Sequence, residues 1–181
     1  KFVAAISANK ELFIWNVESG NLLAQLPLES RPFALNLSND SKLVATGEAN
    51  GKIILWSIET FSKVMDIQAH TGQPNEIVFS KDDKYLYSGG EDKIAKMWAV
   101  KTGTLVKDFN GHTQRVYTLD VSPDGKRLAT GSSDLTVRVW DIETGESTII
   151  LSDFTNPLYQ VRYCPDGKSL IANSMGVEIV L

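Results

Sequence analysis

Cysteine and histidine are scarce in this sequence of 181 residues, which holds one cysteine, Cys164, and two histidines. A lone cysteine forms no intrachain disulfide, and such usage is typical of a reducing compartment. We therefore expect an intracellular protein, cytoplasmic rather than nuclear. No cysteine or histidine pair has the spacing of zinc ligands, so neither a metal nor another cofactor is expected.

Long hydrophobic runs and an excess of basic residues are also lacking. No apolar stretch approaches the roughly 20 residues of a membrane-spanning helix, so membrane insertion is not expected. Lys and Arg number 18 against 22 Asp and Glu, which gives a net charge of −4. A nucleic-acid-binding surface needs a basic footprint, and this balance argues against nucleic acid as a direct ligand. Hydrophobic residues still make up 43%, which excludes a disordered chain.

The tryptophans recur at a fixed interval. Trp15, Trp56, Trp98 and Trp140 are separated by 41, 42 and 42 residues, and a period of this length indicates a repeat protein. The two histidines keep the same interval, since each precedes a tryptophan by 28 residues. The sequence is therefore built from units of about 42 residues.

Within each unit, short segments rich in Val, Leu, Ile and Thr alternate with turn residues. The fullest copy predicts four strands, at about Val116–Val121, Arg127–Thr130, Val137–Trp140 and Ser147–Leu151. Asp124-Gly125 and Asp166-Gly167 are typical of tight turns, because glycine accepts a positive φ. No segment has apolar residues at helical spacing for three turns. The predicted fold class is therefore all-β.

One unit resembles a known family. Gly111-His112 and Trp140-Asp141, with Ser122-Pro123-Asp124-Gly125 between them, are similar to the repeat of the WD-repeat β-propeller family. The other units keep the tryptophan but replace the aspartate after it with Asn16, Ser57 or Ala99. The fourfold spacing extends the resemblance over essentially the whole chain. It implies a β-propeller of four-stranded antiparallel blades, of which this chain covers about four in a ring of about seven.

The resemblance divides the chain into five parts. Residues 1–27 form a partial blade without its first strand, residues 28–69, 70–111 and 112–153 form whole blades, and residues 154–181 form a partial blade without its last strand. An open ring leaves the faces of its end blades unburied. We therefore expect these residues to be continuous with further propeller repeats in a longer polypeptide.

A hydroxyl, an imidazole and a carboxylate occur together in two adjacent units, a pattern that imitates the Ser-His-Asp set of hydrolases. In the resembling family, these positions and the tryptophan instead form a buried hydrogen-bonded network that holds a turn. Recurrence favours the network, because a scaffold device repeats and an active site usually does not. The expected network consists of His70, Ser88, Asp92 and Trp98 in one unit and of His112, Thr130, Asp134 and Trp140 in the next. Accordingly, no catalytic residue and no enzyme is expected.

Two units depart from this pattern. The earlier one has no histidine and holds Leu28, Thr46, Asn50 and Trp56, and the last one holds Phe154, Ala172 and Gly176. We expect apolar contacts to hold these two blades in place of the network, with looser turns.

The resemblance also implies where a partner docks. In propellers of this family, partners often bind the face that carries the loops entering the first strand and joining the second and third strands. Aromatic and arginine side chains dominate interface hot spots, and several occupy these loops. The candidate binding residues are Arg31, Phe33, Asn75, Glu91, Arg115, Tyr117, Tyr159 and Met175. The alternative is that the aromatic rings only cap the packing of the blades.

Three functions are compatible with such a fold, since one fold hosts many functions. The first is a non-catalytic scaffold that presents the loops of a rigid propeller to a protein or peptide partner. The second is the sensing or autoinhibitory propeller of a larger signalling enzyme, such as a nucleotide-switch ATPase or a kinase. The third is a subunit of an RNA-processing assembly, which the acidic composition disfavours. We favour the scaffold, because preorganised loops lower the entropic cost of docking.

Overall fold

The computed structural model describes residues 1–174 and the backbone of residues 177–180. Within these residues the chain forms eighteen β-strands in five antiparallel sheets. This confirms the all-β fold class predicted from the sequence. In the part of the chain that the structure describes, no helix is long and apolar enough to cross a membrane.

Each sheet pairs strands that are consecutive in the chain. Sheet 1 contains β1 (Phe2–Ser7), β2 (Glu11–Asn16) and β3 (Leu22–Pro27). Sheet 2 contains β4 (Pro32–Leu37), β5 (Leu43–Glu48), β6 (Lys52–Ser57) and β7 (Ser62–Gln68). Sheet 3 contains β8 (Pro74–Phe79), β9 (Tyr85–Gly90), β10 (Ala95–Ala99) and β11 (Leu105–Phe109). Sheet 4 contains β12 (Val116–Val121), β13 (Arg127–Ser132), β14 (Val137–Asp141) and β15 (Ser147–Leu151). Sheet 5 contains β16 (Leu158–Tyr163), β17 (Leu170–Ser174) and β18 (Val177–Val180).

The sheets stand side by side through their first strands. Strand β4 contacts β8, β8 contacts β12, and β12 contacts β16. Such an order is that of propeller blades around a common axis, and the eighteen strands amount to about four blades. The four strands predicted for the fullest copy lie in sheet 4, where β13 extends to Ser132 and β14 to Asp141, slightly beyond their predicted ends.

The turn between the first and second strands repeats in each whole sheet. In sheet 4, Ser122 Oγ donates to Asp124 Oδ1 at 2.6 Å, and Gly125 follows with a φ of +72°. The equivalent turns of sheets 2 and 3 repeat the hydroxyl–carboxylate bond. They place Ser41 and Asp83 in the same left-handed conformation, with φ of +59° and +56°. The turn therefore tolerates a side chain at a position that favours glycine.

Apolar side chains fill the junctions between neighbouring sheets, one cluster for each junction. The junction of sheets 3 and 4 buries Tyr87, Phe109 and Trp140. Close approach of these sheets requires glycine, because a Cβ on Gly89 would lie 2.6 Å from Cγ1 of Val116. Dense packing of this kind holds the loops at both ends of the strands in fixed positions.

Candidate functional site

A chain of hydrogen bonds links the loop before sheet 4 to the third strand of that sheet. Trp140 Nε1 donates to Thr130 Oγ1 at 2.8 Å, and His112 Nε2 lies 2.7 Å from the same hydroxyl oxygen. On its other side, His112 Nδ1 lies 2.8 Å from Asp134 Oδ2. A carboxylate only accepts hydrogen bonds, so the imidazole proton sits on Nδ1 and Thr130 donates to Nε2. The chain ties the turn between β13 and β14 to the loop that precedes β12.

Sheet 3 contains the same arrangement with serine in place of threonine. Trp98 Nε1 donates to Ser88 Oγ at 2.9 Å, and His70 Nε2 lies 2.8 Å from that oxygen. His70 Nδ1 lies 2.7 Å from Asp92 Oδ1, and Lys96 Nζ lies 3.2 Å from the other carboxylate oxygen of Asp92. The structure thus brings together all eight network residues named from the sequence, in two sets of four.

Burial and hydrogen bonding act in opposite directions on the charges of the network. Desolvation of Asp134 favours its neutral form, but hydrogen bonds from the Thr136 side chain, the Thr113 backbone and His112 outweigh it and lower the pKa of this carboxyl. Burial lowers the pKa of His112 and outweighs the opposing attraction of Asp134. At neutral pH the network therefore holds a neutral imidazole against an ionised carboxylate.

The set of Ser88, His70 and Asp92 has the order of a hydrolase triad, but it is enclosed. Ser88 is 0% exposed, and its hydroxyl oxygen already accepts the hydrogen bond from Trp98. A catalytic nucleophile needs an open approach for its substrate. The Ser88 hydroxyl has no such approach, so this set cannot act as a hydrolase triad in this arrangement.

Sheet 2 keeps part of the network by different means, and the expectation that apolar contacts alone hold it is wrong. Leu28 is buried where the other sheets have histidine, yet Trp56 Nε1 still donates to Thr46 Oγ1 at 3.0 Å. Glu48 Oε2 accepts a hydrogen bond from the Ser30 backbone N–H at 2.6 Å and ties the strand end to the preceding loop. Glu48 is 0% exposed, its Oε1 has no partner among the described residues, and burial raises its pKa.

In sheet 5, the predicted apolar replacements are buried. Phe154 and Ala172 belong to the cluster that fills the junction with sheet 4. The third residue named for this sheet, Gly176, lies outside the described residues, as does the candidate binding residue Met175.

Four of the candidate binding residues form one continuous surface, which we call the loop-face patch: Glu91, Arg115, Tyr117 and Tyr159. Arg115 Nη1 lies 3.2 Å from Glu91 Oε1, and the guanidinium carbon lies 5.7 Å from the centroid of the Tyr117 ring. The Tyr117 and Tyr159 rings lie 4.9 Å apart between centroids. Arg115 is exposed, and Tyr159 is 47% exposed. The patch extends over sheets 3, 4 and 5.

The remaining described candidates lie elsewhere on the same end of the strands. In sheet 2, the Arg31 guanidinium carbon lies 5.2 Å from the centroid of the Phe33 ring, and both side chains are exposed. Asn75 Nδ2 donates to the backbone carbonyl of Val116 at 2.8 Å. Asn75 is half-buried, and this bond joins sheets 3 and 4.

A polar network on the first strands was missed by the sequence analysis. Glu76 Oε2 on β8 accepts from the Leu119 backbone N–H on β12 at 2.8 Å, and Arg162 on β16 donates to Glu76 Oε1. Asp120 Oδ2 on β12 accepts from the Tyr163 backbone N–H at 2.7 Å. Burial raises the pKa of Asp120. In both backbone bonds the donor lies 43 residues after the acceptor. Because each donor is a backbone N–H, which nearly every residue has, the residue types at this interval carry no signal for the bond.

Acidic residues are frequent in the turns, but they do not converge. Within the described part of the chain, no group of three or more His, Cys, Asp and Glu side chains could hold a metal ion.

The five sheets and their repeated networks define a class of protein: an all-β repeat protein built from propeller blades. The family model of the WD domain, G-beta repeat, matches residues 61–99 and 103–141. Two adjacent repeats of the chain therefore match the WD-repeat family. No curated protein matches it.

The matched repeats are offset from the sheets by one strand. Residues 61–99 run from β7 to β10, and residues 103–141 run from β11 to β14. Each match therefore joins the last strand of one sheet to the first three strands of the next. Both histidine networks lie inside these two matched repeats.

Proposed function

We propose that the chain is a non-catalytic scaffold that binds a protein or peptide partner through the loop-face patch. WD repeats generally mediate protein–protein interactions. The specific support comes from the contact between Tyr117 and Tyr159, whose rings lie 4.9 Å apart across the junction of sheets 4 and 5. Tyrosine combines a large apolar ring with a hydroxyl and few rotatable bonds, which suits it to interface hot spots.

The patch is held in place before any partner arrives. Arg115 is fixed on one side by the ion pair with Glu91 and on the other by the Tyr117 ring. The strands beneath it are packed into the junctions between the sheets. A surface that is already ordered loses little conformational entropy on binding. The rigid propeller thus contributes to affinity by positioning these side chains.

The double substitution Tyr117→Ala and Tyr159→Ala tests this function. The tagged whole protein would be used to capture partners from its own host cells, and the captured proteins would be compared by quantitative mass spectrometry. We expect the recovery of at least one partner to fall about tenfold, because the substitutions remove two central contact side chains.

A matched control is available on the outer strand β11. Leu105 and Val106 are 48% and 46% exposed, and their double substitution by alanine removes a similar apolar surface far from the loops. This control should leave partner recovery unchanged. If all captured proteins were recovered equally by the wild type and by both double variants, with folding verified by circular dichroism, the proposed role of the patch would be wrong.

We also propose a cytoplasmic location for the scaffold. Cys164 is a free cysteine, which suits a reducing compartment. Fluorescence microscopy of a tagged whole protein tests this proposal, and a signal confined to the nucleus or to the secretory pathway would contradict it.

A further inference from the structure

Both tyrosines of the loop-face patch lie at β-bulges. The pairing of β12 with β13 shifts register at Tyr117, and the pairing of β16 with β17 shifts register at Tyr159. A bulge takes one residue out of the ladder and re-aims its side chain. The two rings meet across the junction of sheets 4 and 5, with centroids 4.9 Å apart and planes inclined by 38°. The fold thus brings two aromatic rings together at equivalent positions of neighbouring sheets.

The charges of the patch are paired within it. Its cation, Arg115, and its anion, Glu91, form an ion pair with 3.2 Å between Nη1 and Oε1. The exposed charges of the adjoining loops, Lys93 after β9 and Asp153 before β16, are also opposite in sign. A partner of either charge therefore gains little from the patch, because it meets no excess of the opposite charge.

The Tyr117 ring disfavours a cationic partner in particular. The Arg115 guanidinium carbon lies 5.7 Å from the centroid of this ring, within the distance at which an aromatic face attracts a cation. A second cation over the same ring would be repelled by the first. An acidic side chain would have to compete with Glu91 for the guanidinium. The partner that fits this patch is uncharged where it touches the rings.

The patch offers an uncharged partner aromatic surface together with hydrogen-bond donors. The described contacts of Tyr117 and Tyr159 involve their rings, and neither hydroxyl donates to a described residue. Tyr159 is 47% exposed. A helix would leave these donors unmatched, because its own carbonyl groups are bonded internally.

A proline-rich segment matches both features. Its pyrrolidine rings pack on aromatic faces, and its backbone carbonyl groups have no internal hydrogen bonds in the polyproline II conformation. Proline also fixes φ in advance, so such a segment loses little conformational entropy when it binds. Apolar contact, free acceptors and low entropic cost together favour this segment over other uncharged ones.

We propose that the loop-face patch binds a proline-containing segment of its protein partner in the polyproline II conformation. This inference rests on the proposed function, because it names the kind of partner that the same patch holds. Proline rings pack against Tyr117 and Tyr159, and the tyrosine hydroxyls donate to carbonyl groups of the segment. The segment rises about 3.1 Å per residue, so rings with centroids 4.9 Å apart span about two residues. We expect its prolines to be adjacent or separated by one residue.

Selection of peptides tests the proposal. A phage library of random linear peptides would be selected on the wild-type whole protein, and we expect the enriched peptides to contain two such prolines. Synthetic copies would be measured by isothermal titration calorimetry. Replacement of the two prolines by alanine should weaken binding about tenfold. This measurement leaves the protein unchanged, so it does not depend on the folding of a variant.

Two variants of the protein separate the contributions of the rings and of the hydroxyls. Tyr117→Ala with Tyr159→Ala should weaken binding of the synthetic peptides about tenfold. Tyr117→Phe with Tyr159→Phe keeps the rings and should weaken it about threefold, because the donors are lost. The control, Leu105→Ala with Val106→Ala, should bind as the wild type does. Raising the salt concentration about tenfold should change the affinity less than about twofold, since no ion pair is formed with the peptide.

The possible results distinguish this inference from the proposed function. Enriched peptides without proline, an absence of enrichment, or proline peptides that bind the Tyr117→Ala, Tyr159→Ala variant as well as the wild type would overturn the inference. Proline-free peptides that need both tyrosines would overturn it and still support the proposed function. The proposed function itself fails only if the recovery of partners from host cells is unaffected by the alanine substitutions.

Discussion

The imidazole of His112 and the carboxylate of Asp134 meet at 2.8 Å, although 22 residues of chain separate them. The pair closes a loop that includes β12 and β13, and through Thr130 it reaches Trp140 in the next strand. The His112 ring and the Thr130 hydroxyl are buried, so removal of one member weakens the hydrogen bonding of the others where water does not replace it.

Substitution of His112 by alanine should lower the free energy of unfolding by about 1–3 kcal/mol, because the buried Thr130 hydroxyl loses the imidazole as its partner and Asp134 loses one of its hydrogen bonds. Urea denaturation of the whole protein measures the change. Thr113→Ala is the control, since that side chain is exposed and its backbone N–H keeps its bond to Asp134. An unchanged midpoint for His112→Ala would count against the network.

Acidification should destabilise the protein through His112. Its pKa in the folded state lies below the ordinary 6.5, so the unfolded chain takes up a proton that the folded chain resists. The contribution of His112 to stability is complete above about pH 6.5. It falls as the pH drops from about 6.5 towards the pKa of His112 in the folded state. The depressed pKa of Asp134 costs stability only at lower pH, below about 4. Melting temperatures at several pH values should fall less steeply for His112→Gln than for the wild type, and parallel curves would contradict this.

Glu48 should have the opposite pH dependence. Burial raises its pKa above the ordinary 4.5, with a further rise from the charge of Glu29 and an opposing effect of Lys52. A raised pKa stabilises the folded state below about pH 4.5, and this stabilisation is lost as the pH rises through the folded pKa. The difference in unfolding free energy between Glu48→Gln and the wild type should therefore shift in favour of the variant as the pH rises towards neutrality. The exposed Glu18→Gln is the control and should show no such trend.

Asp83 accepts hydrogen bonds from Asn39 and from the Asp40 backbone, and this clamp between sheets 2 and 3 should contribute to stability. Asp83→Gly removes three accepted hydrogen bonds while glycine keeps the left-handed turn, so we expect a loss of about 1–3 kcal/mol in unfolding free energy. Ser41→Gly makes the same change at the equivalent position of sheet 2 and should stay within about 0.5 kcal/mol of the wild type. Equal effects of the two substitutions in urea denaturation would show that the clamp contributes nothing.

The candidate site was predictable from the sequence only where its parts follow the repeat. His70 and His112 keep the interval of the tryptophans, so their partners could be named by position alone. Glu48 could not be named from its position in the repeat. It lies at the end of β5 and ties that strand to the preceding loop, as histidine does from the loop itself in sheets 3 and 4. Its burial depends on the packing of the Leu28 side chain and on the reach of its own carboxylate to Ser30.

The regular spacing of tryptophan, turn and strand residues determined the all-β class and the number of sheets, because strands and turns depend on residues close together in sequence. The tertiary structure decided which junctions between sheets close and which stay open. Asn39 and Asp83 lie 44 residues apart and join sheets 2 and 3 by hydrogen bonds. One repeat later, Lys81 and Gly125 stand at these positions and line a cavity at the junction of sheets 3 and 4. Contacts across two sheets depend on how the sheets pack, and local sequence preferences do not determine that packing.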